Sequence, residues 1–249
     1  MNTGIKAYRQ QGISESALNR LSLVLILIIS CIVSDELTLK ASEYSPGSQQ
    51  NPADKQLLLN GRIWRNEYSK AFGDQFFLTN TFIKGSVIFN GKRFNDLDLM
   101  FDIANDELLL KVDSYPVILM NKEMIDSFTL NFGNRNYHII NAGTDTSNVL
   151  KGYVNVLYDG TSTLYVKYMK KVQPLAIDGR YDLLAQEHRA YLKKGMQVLL
   201  ISGKRKLLTL LEDKKKEIRD FLRSGKIKLT RKDPNTYIPL LKYYDSLRE

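Results

Sequence analysis

The chain has 249 residues, with 36 Lys and Arg against 27 Asp and Glu, and a formal charge of +9. Its apolar fraction of 43% and charged fraction of 25% are ordinary for a globular protein and exclude a disordered or fibrous chain. A single cysteine, Cys31, excludes an internal disulfide, so stability must come from the core alone.

The positive charge is concentrated. Lys193 to Lys232 holds 14 Lys and Arg and 4 Asp and Glu, a surplus of 10, and the rest of the chain sums to about −1 by subtraction. Whatever the net charge does, it does from the C-terminal quarter.

Residues 1–20 are polar, with Lys6, Arg9 and Arg20 against Glu15. The next 13 residues, Leu21 to Val33 (LSLVLILIISCIV), are almost entirely apolar. A membrane-spanning helix needs about 20. A shorter apolar run behind positive charge is the pattern of a secretory signal peptide, so residues 1–34 are expected to direct export. Two processing routes stay open. Ile28-Ile29-Ser30-Cys31 is similar to a bacterial lipobox, which would make Cys31 a lipidated N-terminus and a membrane anchor. Cleavage after Ser34 would instead discard Cys31 with the leader. Residues 35–56, centred on SPGSQQNPAD, lack apolar periodicity and are expected to be a flexible linker.

Residues 57–202 read as an antiparallel β domain. Leu57 to Trp64 is expected to hold an entry strand, with Trp64 in the core. The best-specified stretch is Gly85 to Asp113, with turn signals at Asn90-Gly91 and Asn105-Asp106. With Asn105-Asp106 as a two-residue loop, Ile103 would face Leu108, Phe101 Leu110 and Leu99 Val112, all on one face. Leu97 and Leu99 fall out of phase with Phe94, which predicts a β-bulge near Asn95-Asp96. Pro116 to Met120 predicts a short strand, and Lys122 to Ile125 a single turn. Phe128, Leu130 and Phe132 are expected to pair with Tyr137 and Ile139 about a turn at Asn134-Arg135. Asp159-Gly160 and Lys194-Gly195 signal two further hairpins, and Pro174 to Arg180 reads as a loop. Short turns permit only antiparallel neighbours. The fold class expected is therefore α+β: an antiparallel β-meander, as a sandwich or an open half-barrel, followed by a C-terminal helical segment.

Residues 203–249 are expected to be that segment, packed on the sheet. Ser202 is a plausible N-cap for a helix with Leu207, Leu208 and Leu211 inward, and Asp213 for a second with Ile218, Phe221 and Leu222 inward. Gly225 is placed to stop the second helix. Asp233-Pro234 predicts a third, with Tyr237, Leu241 and Tyr244 inward and Pro239 in its first turn or at a kink. Lys214, Lys215, Lys216, Arg219 and Arg223 then face solvent as candidate anion-binding residues. They carry no interleaved aromatics, so nucleic acid is not an expected partner. Lipid phosphates and acidic glycans of the envelope are.

No catalytic set is legible. His138 and His188 sit singly on strands, with no metal-binding spacing. No GxSxG elbow occurs. Ile201-Ser202-Gly203-Lys204 imitates a P-loop, but the motif needs Gly where Val198 stands. Asp98 and Asp102 would lie about 13 Å apart along one strand. Paired glycosidase carboxylates need about 5–10 Å, so both read as solvated side chains. No catalytic residue, metal or cofactor is assigned. The reading is a non-enzymatic exported protein of the periplasm or outer membrane, acting as a binding or scaffold module for an envelope protein, lipid or glycan. The alternatives are a carrier of an apolar ligand on a concave sheet and an anion-binding module built on the basic helix.

Several stretches carry a resemblance: Gly73-Asp74-Gln75-Phe76-Phe77-Leu78 to Phe82, Gly85-Ser86-Val87, Leu97 to Ile103 and Asn105-Asp106-Glu107. Gly152-Tyr153 to Tyr168-Met169-Lys170-Lys171, the Lys-rich stretch Asp213 to Gly225, and Tyr243-Tyr244-Asp245-Ser246-Leu247 complete it. Over about residues 57–247 the chain resembles a family of exported, β-rich envelope proteins of Bacteroidota-type bacteria. These are turn and core residues, so the resemblance implies a shared fold and no particular activity.

Overall fold

The computed structural model describes residues 56–113, 115–143 and 149–248. The expected leader, Cys31 and the linker up to residue 55 lie outside the described residues, as does most of the polar loop expected at 143–148.

Alternating apolar residues and short turns build one sheet of eleven strands. They are β1 (Arg62–Ile63), β2 (Ile83–Phe89), β3 (Lys92–Asp102), β4 (Glu107–Lys111), β5 (Ile118–Leu119) and β6 (Ile125–Phe132). Then follow β7 (Arg135–Asn141), β8 (Tyr153–Asp159), β9 (Ser162–Ile177), β10 (Tyr181–Lys194) and β11 (Gln197–Ile201). The order is β1-β5-β4-β3-β2-β6-β7-β8-β9-β10-β11, and all neighbouring strands pair antiparallel. The sheet is open, with β1 and β11 at its edges. It curls all the same: the Lys170 N–H on β9 donates to the Ile103 carbonyl beyond β3 at 3.0 Å.

The inner face of that curl is filled by its own side chains. Leu99, Phe101, Ile103, Leu108 and Leu110 are all buried there, with Phe77, Phe128 and Tyr153. Phe101, Phe128 and Tyr153 meet edge to face, with ring centroids 5.0–5.6 Å apart. Burying each such side chain contributes about 1.5–3 kcal/mol. Met100 and Leu109 point to the opposite face, where Phe76, Trp64 and Phe82 cover them.

The helical segment covers a second core. After Ile201 come α1 (Lys204–Leu210), a 3₁₀ turn (Glu212–Lys214), α2 (Lys215–Ser224), a second 3₁₀ turn (Pro234–Tyr237) and α3 (Ile238–Ser246). Leu207, Leu211, Ile218, Tyr237, Leu241 and Tyr244 are buried against Leu164, Val166, Ala190, Leu192 and Ile201 of the sheet. Pro239 lies in the first turn of α3, where its missing N–H costs nothing. No helix of the described residues is long and apolar enough to cross a membrane.

Several local expectations hold. The bulge sits where Leu97 pairs with Gly85 but Phe94 with Val87, and Asp96 takes a left-handed φ of 55°. Asn90-Gly91 is a two-residue loop with both φ values positive, as a type I′ turn requires. The expected turn after β5 is the 3₁₀ turn Lys122–Met124.

Others are corrected. In the β3–β4 hairpin, Leu99 pairs with Leu110 and Phe101 with Leu108, a register two residues from that expected. The loop holds four residues because the Asp102 carboxylate accepts the N–H groups of Ala104 and Asn105, at 2.9 and 3.0 Å. A two-residue slip preserves facing, so the same face stays inward, with Val112 only partly buried at its edge. The β6–β7 loop is Gly133-Asn134 rather than Asn134-Arg135, since Gly133 supplies the positive φ of 58°. The β10–β11 loop is likewise Gly195-Met196. Pro174 to Arg180 is no loop: β9 runs on to Ile177, and the turn is Asp178-Gly179, with φ of 51° and 65°. Pro174 is tolerated in the irregular stretch between the Leu183–Gln173 and Tyr181–Ile177 pairs.

The helix ends also differ. The N-cap of α1 is Gly203, so Ser202 does not cap it. Asp213 does not cap α2 either, because its carboxylate is taken by Lys194 and Tyr244. Gly225 ends α2 at a φ of −78°, and the left-handed residue is Lys226.

Candidate anion-binding face

Two stripes of side chains face each other between α1 and α2. Arg205, Leu208 and Thr209 recur at i, i+3 and i+4 along α1, and Glu212 continues the row one turn later. Lys215, Ile218 and Arg219 do the same on α2. The short connection Leu211–Lys214 folds the helices into a corner, so the stripes line one cleft of about 280 Å³. Buried Leu207, Leu211 and Ile218 fix the corner to the sheet.

The corner is also pinned by polar contacts. The Tyr244 hydroxyl donates to the Asp213 carboxylate, 2.8 Å from Oδ2, and the Lys194 ammonium donates to Oδ1 at 2.8 Å. Lys194 also donates to the Leu210 carbonyl at 3.2 Å and lies over the Tyr244 ring. One lysine thus ties β10 to the end of α1, the start of α2 and α3. Burial works against ionisation of Asp213, but Lys194 and Tyr244 outweigh it and hold the carboxyl below its usual range.

Of the five expected anion-binding residues, the fold brings Lys215 and Arg219 into the cleft. Lys216 and Arg223 are exposed on α2 away from its walls, and Arg223 lies 4.0 Å from Asp220. Lys214 is half-buried at the start of α2. Arg205 was not among the five. Its signal in the sequence is the i, i+3 spacing from Leu208.

Other charged groups close on themselves. Asp106, the last residue of the β3–β4 loop, receives the ammonium groups of Lys122 and Lys167, the latter at 2.8 Å. Lys122 also donates to the Asp106 carbonyl at 2.8 Å and stands over the Tyr153 ring. Burial pushes the Lys167 ammonium below its usual range, against the pull of Asp106. This knot fastens the β3–β4 loop to β8 and β9. On the neighbouring surface Arg62 lies 4.0 Å from Glu107.

Asp102 is a correction. It is fully buried rather than solvated, and accepts from Gln75 Nε2 at 3.0 Å and Asn105 Nδ2 at 3.2 Å, besides the two backbone groups. Burial raises its carboxyl above the usual range, and those hydrogen bonds oppose the shift. Asp98 does lie at the surface, 3.2 Å from Lys84. His188 is hydrogen-bonded to the Arg231 carbonyl at 2.7 Å, and His138 is exposed. Among the described residues no three His, Asp or Glu side chains are grouped to hold a metal ion.

No family model, curated protein or solved structure matches the chain.

Proposed function

We propose that the chain is a non-enzymatic binding module of the cell envelope, exported to the periplasm or outer membrane, whose contact surface is the basic helical cap. One observation carries this reading. Arg205, Lys215 and Arg219 converge on an open cleft with one carboxylate, Glu212, and none of the three forms an ion pair among the described residues. At the joints of the sheet, by contrast, Lys122, Lys167, Lys170 and Lys194 each meet a carboxylate. Unmatched cations around a concavity attract anions and steer them in from solution. Anionic lipids and glycans are the envelope groups with that chemistry. The leader expected at residues 1–34 supports export, and Cys31, if retained and acylated, would add an anchor.

The carrier alternative draws less support. The concave face that would hold an apolar ligand is occupied by Phe77, Phe101, Phe128 and Tyr153.

The test is binding of the purified protein to lipopolysaccharide and to an acidic polysaccharide across a salt series. Affinity is expected to fall steeply between about 50 and 200 mM salt, where screening shortens the reach of charge. Reversing Lys215 and Arg219 to Glu is expected to abolish it. Salt-independent binding, or binding indifferent to the reversal, would refute the reading.

A further inference from the structure

We infer that the cleft between α1 and α2 is a phosphomonoester site. This deepens the anion-binding reading and rests on it. Three cations against one carboxylate leave an excess of two positive charges around the cleft. A phosphate monoester carries about −1.5 to −2 near neutral pH, whereas a carboxylate or a phosphodiester carries about −1. Of these three, the monoester balances the cleft.

The donors fit the same group. Arg205 and Arg219 enter from opposite helices, and a guanidinium presents paired N–H groups that match two oxygens of one phosphate. Lys215 adds a compact charge one turn from Arg219. The Thr209 hydroxyl already donates to the Arg205 carbonyl at 3.1 Å, so recognition falls to the three cations. Leu208 and Ile218 form the apolar part of the lining. They displace water without competing for the anion, and charge interactions strengthen where water is excluded. A volume of about 280 Å³ takes a phosphorylated head group and leaves the rest of its carrier outside.

The carrier of the phosphate is a lipid or a small soluble compound, and the assay separates them. One arm measures the full chain on phosphatidylcholine vesicles doped with phosphatidic acid, a monoester, or with phosphatidylglycerol, a diester. The other measures methyl phosphate against dimethyl phosphate in solution. A monoester preference of about tenfold is expected in at least one arm. Preference on vesicles alone assigns a lipid; preference in solution assigns a small phosphate. Arg205→Ala and Arg219→Ala are each expected to cost about tenfold, Arg219→Lys less, and Glu212→Gln to tighten binding. Lys242→Ala, exposed on α3 away from the cleft, should change nothing. Equal affinity for monoester and diester in both arms overturns the phosphomonoester site, yet leaves general polyanion binding standing. Polyanion binding that survives reversal of Lys215 and Arg219 overturns the broader reading as well.

Discussion

Gly152 and Asp106 occupy one corner of the molecule, so close that a Cβ on Gly152 would overlap Oδ2 of Asp106. Gly152 also has a φ of +63°, which a side chain resists. The close approach lets the Tyr153 N–H reach both carboxylate oxygens at 3.3 Å while Lys122 and Lys167 hold them from other sides. Gly152→Ala is therefore expected to cost about 2 kcal/mol or more, and to lower the melting temperature by about 4–8 °C. Thermal unfolding followed by circular dichroism checks it. An unchanged melting temperature would mean that the loop can leave β8 without loss.

The same knot predicts an asymmetry between its members. Asp106→Asn leaves two ammonium groups facing each other without their anion, and is expected to cost about 2–3 kcal/mol. Lys167→Met removes one cation, keeps the apolar stem and leaves Lys122 in place. Its cost is expected to be about 1 kcal/mol. Urea denaturation of both variants decides, and equal losses would contradict shared pairing.

How much of this was readable beforehand differs by element. The alternation of Leu99, Phe101 and Ile103 put the right face inward, because burial acts on every second residue whatever the loop does. The loop itself was misread. Asn105-Asp106 looks like a two-residue turn, but Asp102 captures two backbone N–H groups first, and pattern alone does not say where one side chain will donate or accept. For the same reason Asp102 was placed in water. The β9–β10 hairpin was missed because Pro174 outweighed the Asp178-Gly179 signal. The basic face was legible as composition, but not Arg205, since a cleft between helices depends on how they cross.

The irregular stretch of β9 before the turn of that hairpin offers a rare stabilising change. Leu175 is exposed and has a φ of 52°, with its N–H held by Asp182 Oδ1 at 3.0 Å. A left-handed conformation costs leucine about 1–2 kcal/mol, and asparagine less. Leu175→Asn is expected to gain about 0.5 kcal/mol in urea denaturation. A loss of that size or more would show that the leucine packs usefully where it is.

The clamp on the helical cap predicts a response to acid. Asp213 has a folded-state value below the usual one, so it contributes stability that is present above the unfolded value of about 3.9. That contribution is lost as pH falls through the folded value. Asp213→Asn is expected to be less stable than the parent at neutral pH, with the gap narrowing below about pH 4. Melting of both proteins over that range tests it. A constant gap would show that the carboxylate charge is not what Lys194 and Tyr244 hold.

The most direct measurement is the affinity of the intact protein for lipopolysaccharide, parent against the Lys215→Glu, Arg219→Glu double variant, at low and near-physiological salt. A basic cap that holds anions predicts binding that weakens with salt in the parent and is absent in the variant, with melting temperature unchanged. Equal binding by both proteins, or parent binding that ignores salt, would contradict it.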